Sequence, residues 1–365
     1  MSDLLKKFCN WSYHRQHLGK QETDIELVLK DIIGVYSSHP TAPLALHARV
    51  RLFGEKEFYK LDEQKLALRV PAMRLTIHML PRETAHLAFA ATVPPASDPV
   101  WQKRYSNKAR YIPPEDYEEW QRKILQVAVK PITATEIKDA TDIPDDKVKT
   151  LLNFMAYTGY LLRVGAKSLR SDIISYVSTQ TWAGGSFKAV DNEEALAWLA
   201  GEYLRAFGPA SVKDFQWWAG ITAGKAKAAI NTNEAIAVDS DYLMLKKDLN
   251  AFESFKSPTK DSVAILPQWD SYTMGYAPDG RERFVSPDMQ HHVYAKIGAT
   301  GGNARGVVLV NGEAHAAWDS KFAGTKMTVK LDMFEKPSDQ MGKIVEKKFH
   351  EIATLLKAKS VVLEM

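Results

Sequence analysis

Apolar positions recur at helical spacing through the first half of the chain and give way to two-residue alternation towards its end. Ile25, Leu29, Ile32 and Ile33 share one helix face, and Leu44, Ala45, Ala48 and Leu52 share another, with Pro43 suited to a first helical turn. Between them, Gly34-Val35-Tyr36-Ser37-Ser38-His39-Pro40 sets a phenol, two hydroxyls and an imidazole on a connection that its prolines keep out of either helix. Such residues commonly cap helix ends, and the same groups held rigidly can serve a reactive site. Next, Met73, Leu75, Ile77 and Met79 alternate with Arg74, Thr76 and His78, which predicts a strand with the arginine and histidine on one polar face. On that face the two side chains are solvated, hold a phosphate backbone or orient a neighbouring polar loop.

The pattern then repeats. Pro131 through Leu152 matches Pro209 through Ile230 at a constant offset without a gap. In each copy a helix precedes the proline, and a Ser or Thr opens a short helix with an acid three positions later (Thr133/Glu136 and Ser211/Asp214). Ile143 or Ile221 then leads into a second short helix. Those second helices carry Lys147 and Lys149 in one copy, Lys225 and Lys227 in the other. Strand-like runs follow, Tyr160–Val164 with Ile173–Val177, and Ala235–Val238 with Tyr242–Leu245. Helix, short helix, short helix and hairpin is the order of a winged helix, whose third helix enters the major groove; such units also mediate protein contacts.

From about Asp261 short strands and turns take over, including an Asn311-Gly312 hairpin signal and a closing amphipathic helix near Met341 to Ala358. The expected fold is therefore α+β: tandem winged-helix units at residues 1–95, 115–180 and 190–250, then a C-terminal β-barrel with its closing helix at 260–365. The stretch Thr92 to Pro114 interleaves Trp101, Tyr105 and Tyr111 with Lys103, Arg104, Lys108 and Arg110, and reads as a linker that wraps its own domain or lies along a nucleic acid.

Composition narrows the classes without choosing among them. A chain of 365 residues with 45% apolar residues forms sizeable cores, and a net charge of +4 permits a basic face without requiring one. The start, Met1 to Lys20, is basic and lacks the apolar core of a secretion signal, and no run approaches ~18 apolar residues. A soluble, cytoplasmic monomer is expected, nucleoid-associated when bound to DNA. The single cysteine, Cys9, cannot form an internal disulfide and is read as a packing residue. The adjacent His291 and His292 lack further ligands at useful spacing, and the turn with Gly301-Gly302 lacks the lysine of a phosphate loop. No metal or cofactor is expected.

Four stretches together resemble the AlkZ/YcaQ-type winged-helix DNA glycosylases, a bacterial family. They are Ile33-Gly34-Val35, Met73 to His78, Tyr203 to Pro209 with Asp214 and Trp218, and Leu266-Pro267-Gln268-Trp269-Asp270-Ser271-Tyr272-Thr273-Met274-Gly275-Tyr276. The resemblance implies binding of duplex DNA and removal of alkylated bases or unhooking of crosslinked ones. It also implies a Gln-apolar-Gln or Gln-apolar-Asp motif directly after the Gly-Val pair, where this chain has Tyr36-Ser37-Ser38.

An alkylated, cationic base already leaves readily, so the enzyme has chiefly to stabilise a sugar oxocarbenium ion and aim a water at its anomeric carbon. Tyr36 and Ser38 keep the spacing of two oxygens on one side of an extended turn, and His39 offers a base, although strict alternation turns it away from Ser38. These three are the candidate catalytic residues. Arg74, His78, Lys147, Lys149, Lys225, Lys227, Arg281 and Arg283 are the candidate DNA contacts, the last two on the turn Pro278 to Arg283. Asp270, amid aromatic residues, is read as structural. Two functions compete: a DNA glycosylase acting on alkylated or crosslinked purines, and a non-catalytic DNA-binding or regulatory protein on the same scaffold.

Overall fold

A computed structural model describes residues 2–101, 111–165, 168–185, 187, 189–258, 260–294 and 304–364. The chain opens with α1 (Asp3–Arg15) and α2 (Ile25–Asp31), whose N-caps Ser2 and Asp24 accept backbone N–H bonds. β1 (Val35–Tyr36), α3 (Ala42–His47) and α4 (Glu55–Glu63) follow. The alternating run around Arg74 is not one strand. It belongs to an antiparallel hairpin of β2 (Ala67–Ala72) and β3 (Thr76–Pro81), turned at Met73, Arg74 and Leu75, with the last two in left-handed backbone at φ 54° and 56°. Alternation misleads here because the hairpin is covered on both faces: Ile77, His78, Met79 and Leu80 are all buried. α5 (Ala85–Thr92) ends this part.

The first repeat copy comprises α6 (Pro114–Val127), β4 (Ile132–Thr133), α7 (Ala134–Ala140), α8 (Asp145–Tyr157), β5 (Leu161–Val164) and β6 (Ser175–Ser178). The second comprises α9 (Asn192–Phe207), α10 (Val212–Ala219), α11 (Ala223–Asn231), β7 (Ala235–Asp239) and β8 (Tyr242–Leu245). Both capping boxes close, Thr133 with Glu136 and Ser211 with Asp214. The shorter acid does a second job. One Asp214 oxygen completes the box while the other accepts from Ala277 N at 2.9 Å, fastening α10 to the C-terminal third.

Sheet pairing crosses the expected unit boundaries. A six-stranded sheet runs β1-β3-β2-β5-β6-β4, so the first hairpin continues into the strands of the first repeat copy, whereas β7 and β8 form a two-stranded sheet that Ala210 joins through a single bridge to Leu243. α5 in turn packs on α9 of the second copy.

The C-terminal third contains β9 (Val263–Leu266), β10 (Gly306–Val310), β11 (Glu313–Ala323), β12 (Lys326–Met333), α12 (Asp339–Leu355) and β13 (Ser360–Glu364). No closed barrel is found among the described residues, where these strands form an open sheet, β13-β12-β11-β10-β9. α12 supplies the reason. Its Val345, Phe349 and Ile352 fill the space that closure would have enclosed, and the chain then returns as β13 in parallel with β12. The Asn311-Gly312 turn has φ 51° and 93°, the two positive angles that a tight hairpin of matching twist requires.

One interaction ties the N-terminal part to the C-terminal third. Arg49, just beyond α3, donates to both oxygens of Asp270 at 2.8 and 2.6 Å, and neither side chain has exposed surface. Removing one partner strands a buried charge, so Asp270→Ala is expected to lower the unfolding free energy by about 3–5 kcal/mol. The paired change Arg49→Met with Asp270→Leu should recover most of that loss, as read by urea denaturation.

Candidate active site

The polar turn is built from its backbone outwards. Gly34 ends α2 in left-handed conformation at φ 75°, its N–H donating to Leu29 O at 2.7 Å, and a Cβ there would run into Met79 O and the Leu80 side chain. The chain then pairs with β3 through Val35–Met79 and Tyr36–His78. Ser37 N donates to Ile77 O at 2.8 Å and Ile77 N returns a bond to Ser38 Oγ at 3.1 Å. Arg69, itself paired with Asp62, donates from Nε to Ser37 Oγ at 3.0 Å. From the far side Ser271 Oγ donates to Gly34 O at 3.1 Å. Every residue from Gly34 to Ser38 is thus held by a partner distant in sequence.

Pairing stops at Tyr36, and so does strict alternation. The turn closes with Thr41 N on His39 O at 2.8 Å and brings the exposed His39 ring back over Tyr36, near-parallel at 6.1 Å and 25°. Trp269, also left-handed at φ 59°, stacks on His39 at 4.4 Å and 16° and lies 5.5 Å from Tyr36. The Arg49–Asp270 pair sits directly behind this tryptophan in sequence and fixes the corner that presents it.

Burial pushes the Tyr36 hydroxyl above its ordinary pKa, against the opposing pull of its bond with Ser38 and of the nearby Arg74 charge. At neutral pH it is a proton donor and not a base. Beneath it His78 makes an edge contact at 6.1 Å and 87°, and its Nδ1 donates to Thr76 O at 3.1 Å. Burial drives His78 down to about 4, with the Thr76 bond opposing and Arg74 assisting, so it is a neutral support for the turn.

Arg74 leaves the hairpin tip on the other side of Tyr36. Its guanidinium lies over Trp217 at 4.2 Å, and Arg281 approaches the same ring at 5.2 Å while resting on Tyr294 at 3.8 Å. Gly220, the left-handed C-cap of α10, permits this approach, because a Cβ would meet Arg74 Cγ at 2.9 Å and its backbone at 3.0 Å. Tyr157 OH anchors the tip by donating to Leu75 O at 2.8 Å.

The chain matches the family described as DNA glycosylase AlkZ-like over residues 30–356. It belongs to the AlkZ-like DNA glycosylase family. A solved structure of the Streptomyces sahachiroi DNA glycosylase AlkZ has the same fold, with TM-score 0.73, 16% identity and 98% of each chain covered. No curated protein matches the chain.

Within this AlkZ-like fold the remaining candidates separate. Arg283 is corrected from a DNA contact to a core residue: it is 0% exposed, donates to Pro209 O at 2.8 Å and Gly280 O at 3.2 Å, and covers Tyr276 at 3.9 Å. The turn Pro278 to Arg283 is a 3-10 helix, fastened to α10 by the Asp214–Ala277 bond beside it. Lys225, Lys227 and Lys149 are exposed, and Lys147 is half-buried beside Asp146 at 3.4 Å. Lys103, Arg104, Lys108 and Arg110 of the basic linker, and Gly301-Gly302, lie outside the described residues. Among the described residues no group of three or more His, Cys, Asp or Glu could hold a metal ion, and His292 pairs with Asp332 at 3.1 Å.

Sequence reasoning missed Arg49, Arg69, Trp217 and the stacking role of Trp269. Only Trp269 carried a signal, as an aromatic beside an acid in an otherwise apolar corner.

His78 makes the site a source of acid sensitivity. Unfolding returns its pKa to about 6.5, so the unfolded chain takes up a proton that the folded chain refuses. Stability should be full above that value and fall as the pH drops towards about 4, by roughly 3 kcal/mol in all, while His78→Gln removes this component from urea midpoints measured across the window.

Proposed function

We propose that this AlkZ-like chain is a DNA glycosylase that hydrolyses the N-glycosidic bond of alkylated or crosslinked purines in duplex DNA. The observation that carries this reading is the Tyr36–Ser38–His39 turn, buttressed from behind by β3, Arg69 and Ser271 yet open at His39. Ser38 Oγ uses one lone pair for Ile77 N and keeps the other for a water. Its bond to Tyr36 links both hydroxyls in one polarised chain, and His39 takes the proton as water adds to the anomeric carbon. The departing base already carries the positive charge that makes it leave, so no strong acid is needed.

A second reading has its own support. Both serine hydroxyls already serve the backbone or Arg69, which suits a turn that kept its shape and lost its reaction. Single-turnover base release from duplexes with N7- or N3-alkylated purines or crosslinks, enzyme in excess, separates the two. His39→Ala and Ser38→Ala are expected to slow release by about 100-fold with duplex affinity retained; Tyr36→Phe, which removes the donor, should slow it as well. A parent protein that binds these duplexes and releases no base leaves the binding-protein reading in place.

We read α6 to β6 and α9 to β8 as winged-helix units that grip the duplex, the protein acting as a cytoplasmic monomer on the nucleoid. Among the described residues no helix is long and apolar enough to cross a membrane. The two third helices differ in charge: α8 begins with Asp145 and Asp146, whereas α11 has no acid in its first turn and follows the N-cap Thr222. The major phosphate contacts are assigned to α11. Replacing Lys225 and Lys227 by Ala should flatten the logarithmic salt dependence of duplex affinity by about two units, and the same change at Lys147 and Lys149 should matter less.

A further inference from the structure

Arg74 and Arg281 are charged groups that the fold brings together without neutralising. Among the described residues neither donates a hydrogen bond or forms an ion pair, and each instead faces the Trp217 ring. Arg281 is 3% exposed, and its Nε and Nη2 are buried with no hydrogen-bond partner. The nearest acid, Asp279, is engaged by Lys213 at 2.5 Å. Tyr294, against the other face of Arg281, is a buried phenol whose hydroxyl donates to Thr273 O at 3.0 Å, so it supplies no negative charge. Burial first and the Arg281 charge second pull Arg74 down to about 10. Arg281 is buried and Arg74 half-buried, and a cation held in this way without a counter-charge is costly, a cost that an anion shared by the two would offset.

The position of this pair says which anion. Arg74 sits at the tip of the β2–β3 hairpin in a left-handed conformation, and its charge acts directly on Tyr36. A sugar placed for attack at the Tyr36–Ser38 turn carries a phosphate on each side. We propose that Arg74 and Arg281 bind the phosphodiester flanking the nucleotide whose sugar lies at Tyr36, with Trp217 holding both guanidinium planes in place. This rests on the glycosylase reading for the identity of the sugar, and not for the chemistry of the anion. Arginine suits the task because its planar donors engage phosphate oxygens in pairs.

The test uses binding alone. Duplexes containing an uncleavable tetrahydrofuran abasic analogue are prepared with a single neutral methylphosphonate at each linkage in turn, and affinity is read by fluorescence anisotropy. The wild-type protein is expected to lose about ten-fold or more in affinity at one linkage beside the analogue. Arg74→Gln and Arg281→Gln should show a similar loss on the unmodified duplex and little further loss at that linkage. A second measurement follows the arginine Nε–H resonances of the intact protein, assigned with Arg74→Lys and Arg281→Lys, during titration with inorganic phosphate and then with the duplex. Movement with either ligand supports an anion site, and movement with the duplex alone restricts it to the phosphodiester. A flat methylphosphonate scan on the wild type, or resonances that move with neither ligand, would overturn the proposal. A protein that shows the sensitive linkage and releases no base fails as a glycosylase while keeping the phosphate site.

Discussion

The buried Arg49–Asp270 pair is the constraint on which the rest of the site depends. It joins residues 221 positions apart in two charge-assisted bonds, with the Asp270 carboxylate also accepting from Tyr272 N at 2.9 Å. Arg49 adds a bond to Ala45 O at 2.8 Å, so the arginine is locked to the helix that follows the polar turn. The next residue after Asp270 bonds Gly34, and the residue before it stacks on His39. A single ionic contact therefore sets the distance between the turn and the aromatic surface beside it. Its desolvation cost is high, and that cost is met by geometry in which almost every polar atom is used.

Around this anchor the site divides into a quiet side and a charged side. His78 and Tyr36 are kept neutral by burial, so the floor of the turn carries no net charge at neutral pH. Arg74 and Arg281 remain cationic on the adjoining edge. A neutral floor thus lies beside a fixed positive edge. Arg283, only two residues from Arg281, plays another part: its Nε and Nη1 donate to the carbonyls of Gly280 and Pro209, and its Nη2 lies 3.8 Å from the Asp214 carboxylate.

The repeat shows how one helical pattern is put to two uses. In the first copy the strands after α8 extend a sheet begun by the N-terminal hairpin, and Tyr157 from the end of α8 holds the hairpin tip. In the second copy the hairpin stays separate, and the loop after α10 packs its Gly220 against Arg74. Both copies thus converge on the residues Met73 to Leu75. Left-handed backbone at Arg74 and Leu75 is tolerated because two independent elements press on it from either side.

Local order was legible in the residues themselves. Capping boxes, the Asn-Gly turn, the proline-bounded polar segment and the repeat are decided by interactions within a few positions, so Thr133, Ser211, Asn311 and Gly34 announce their conformations. The strand through Arg74 was misread because the run crosses a tight turn at Met73 to Leu75, whose apolar residues keep the alternation of the strand that follows. Partner choice was not legible at all. Whether a basic side chain is exposed like Lys227, buried with a carboxylate like Arg49, bonded to carbonyls like Arg283 or left without a hydrogen bond like Arg281 depends on which distant atoms surround it. Sequence alone determined the helices, the turns and the polar residues of the site; tertiary structure alone decided their electrostatic roles, since charge, burial and hydrogen bonding are properties of neighbours far away along the chain.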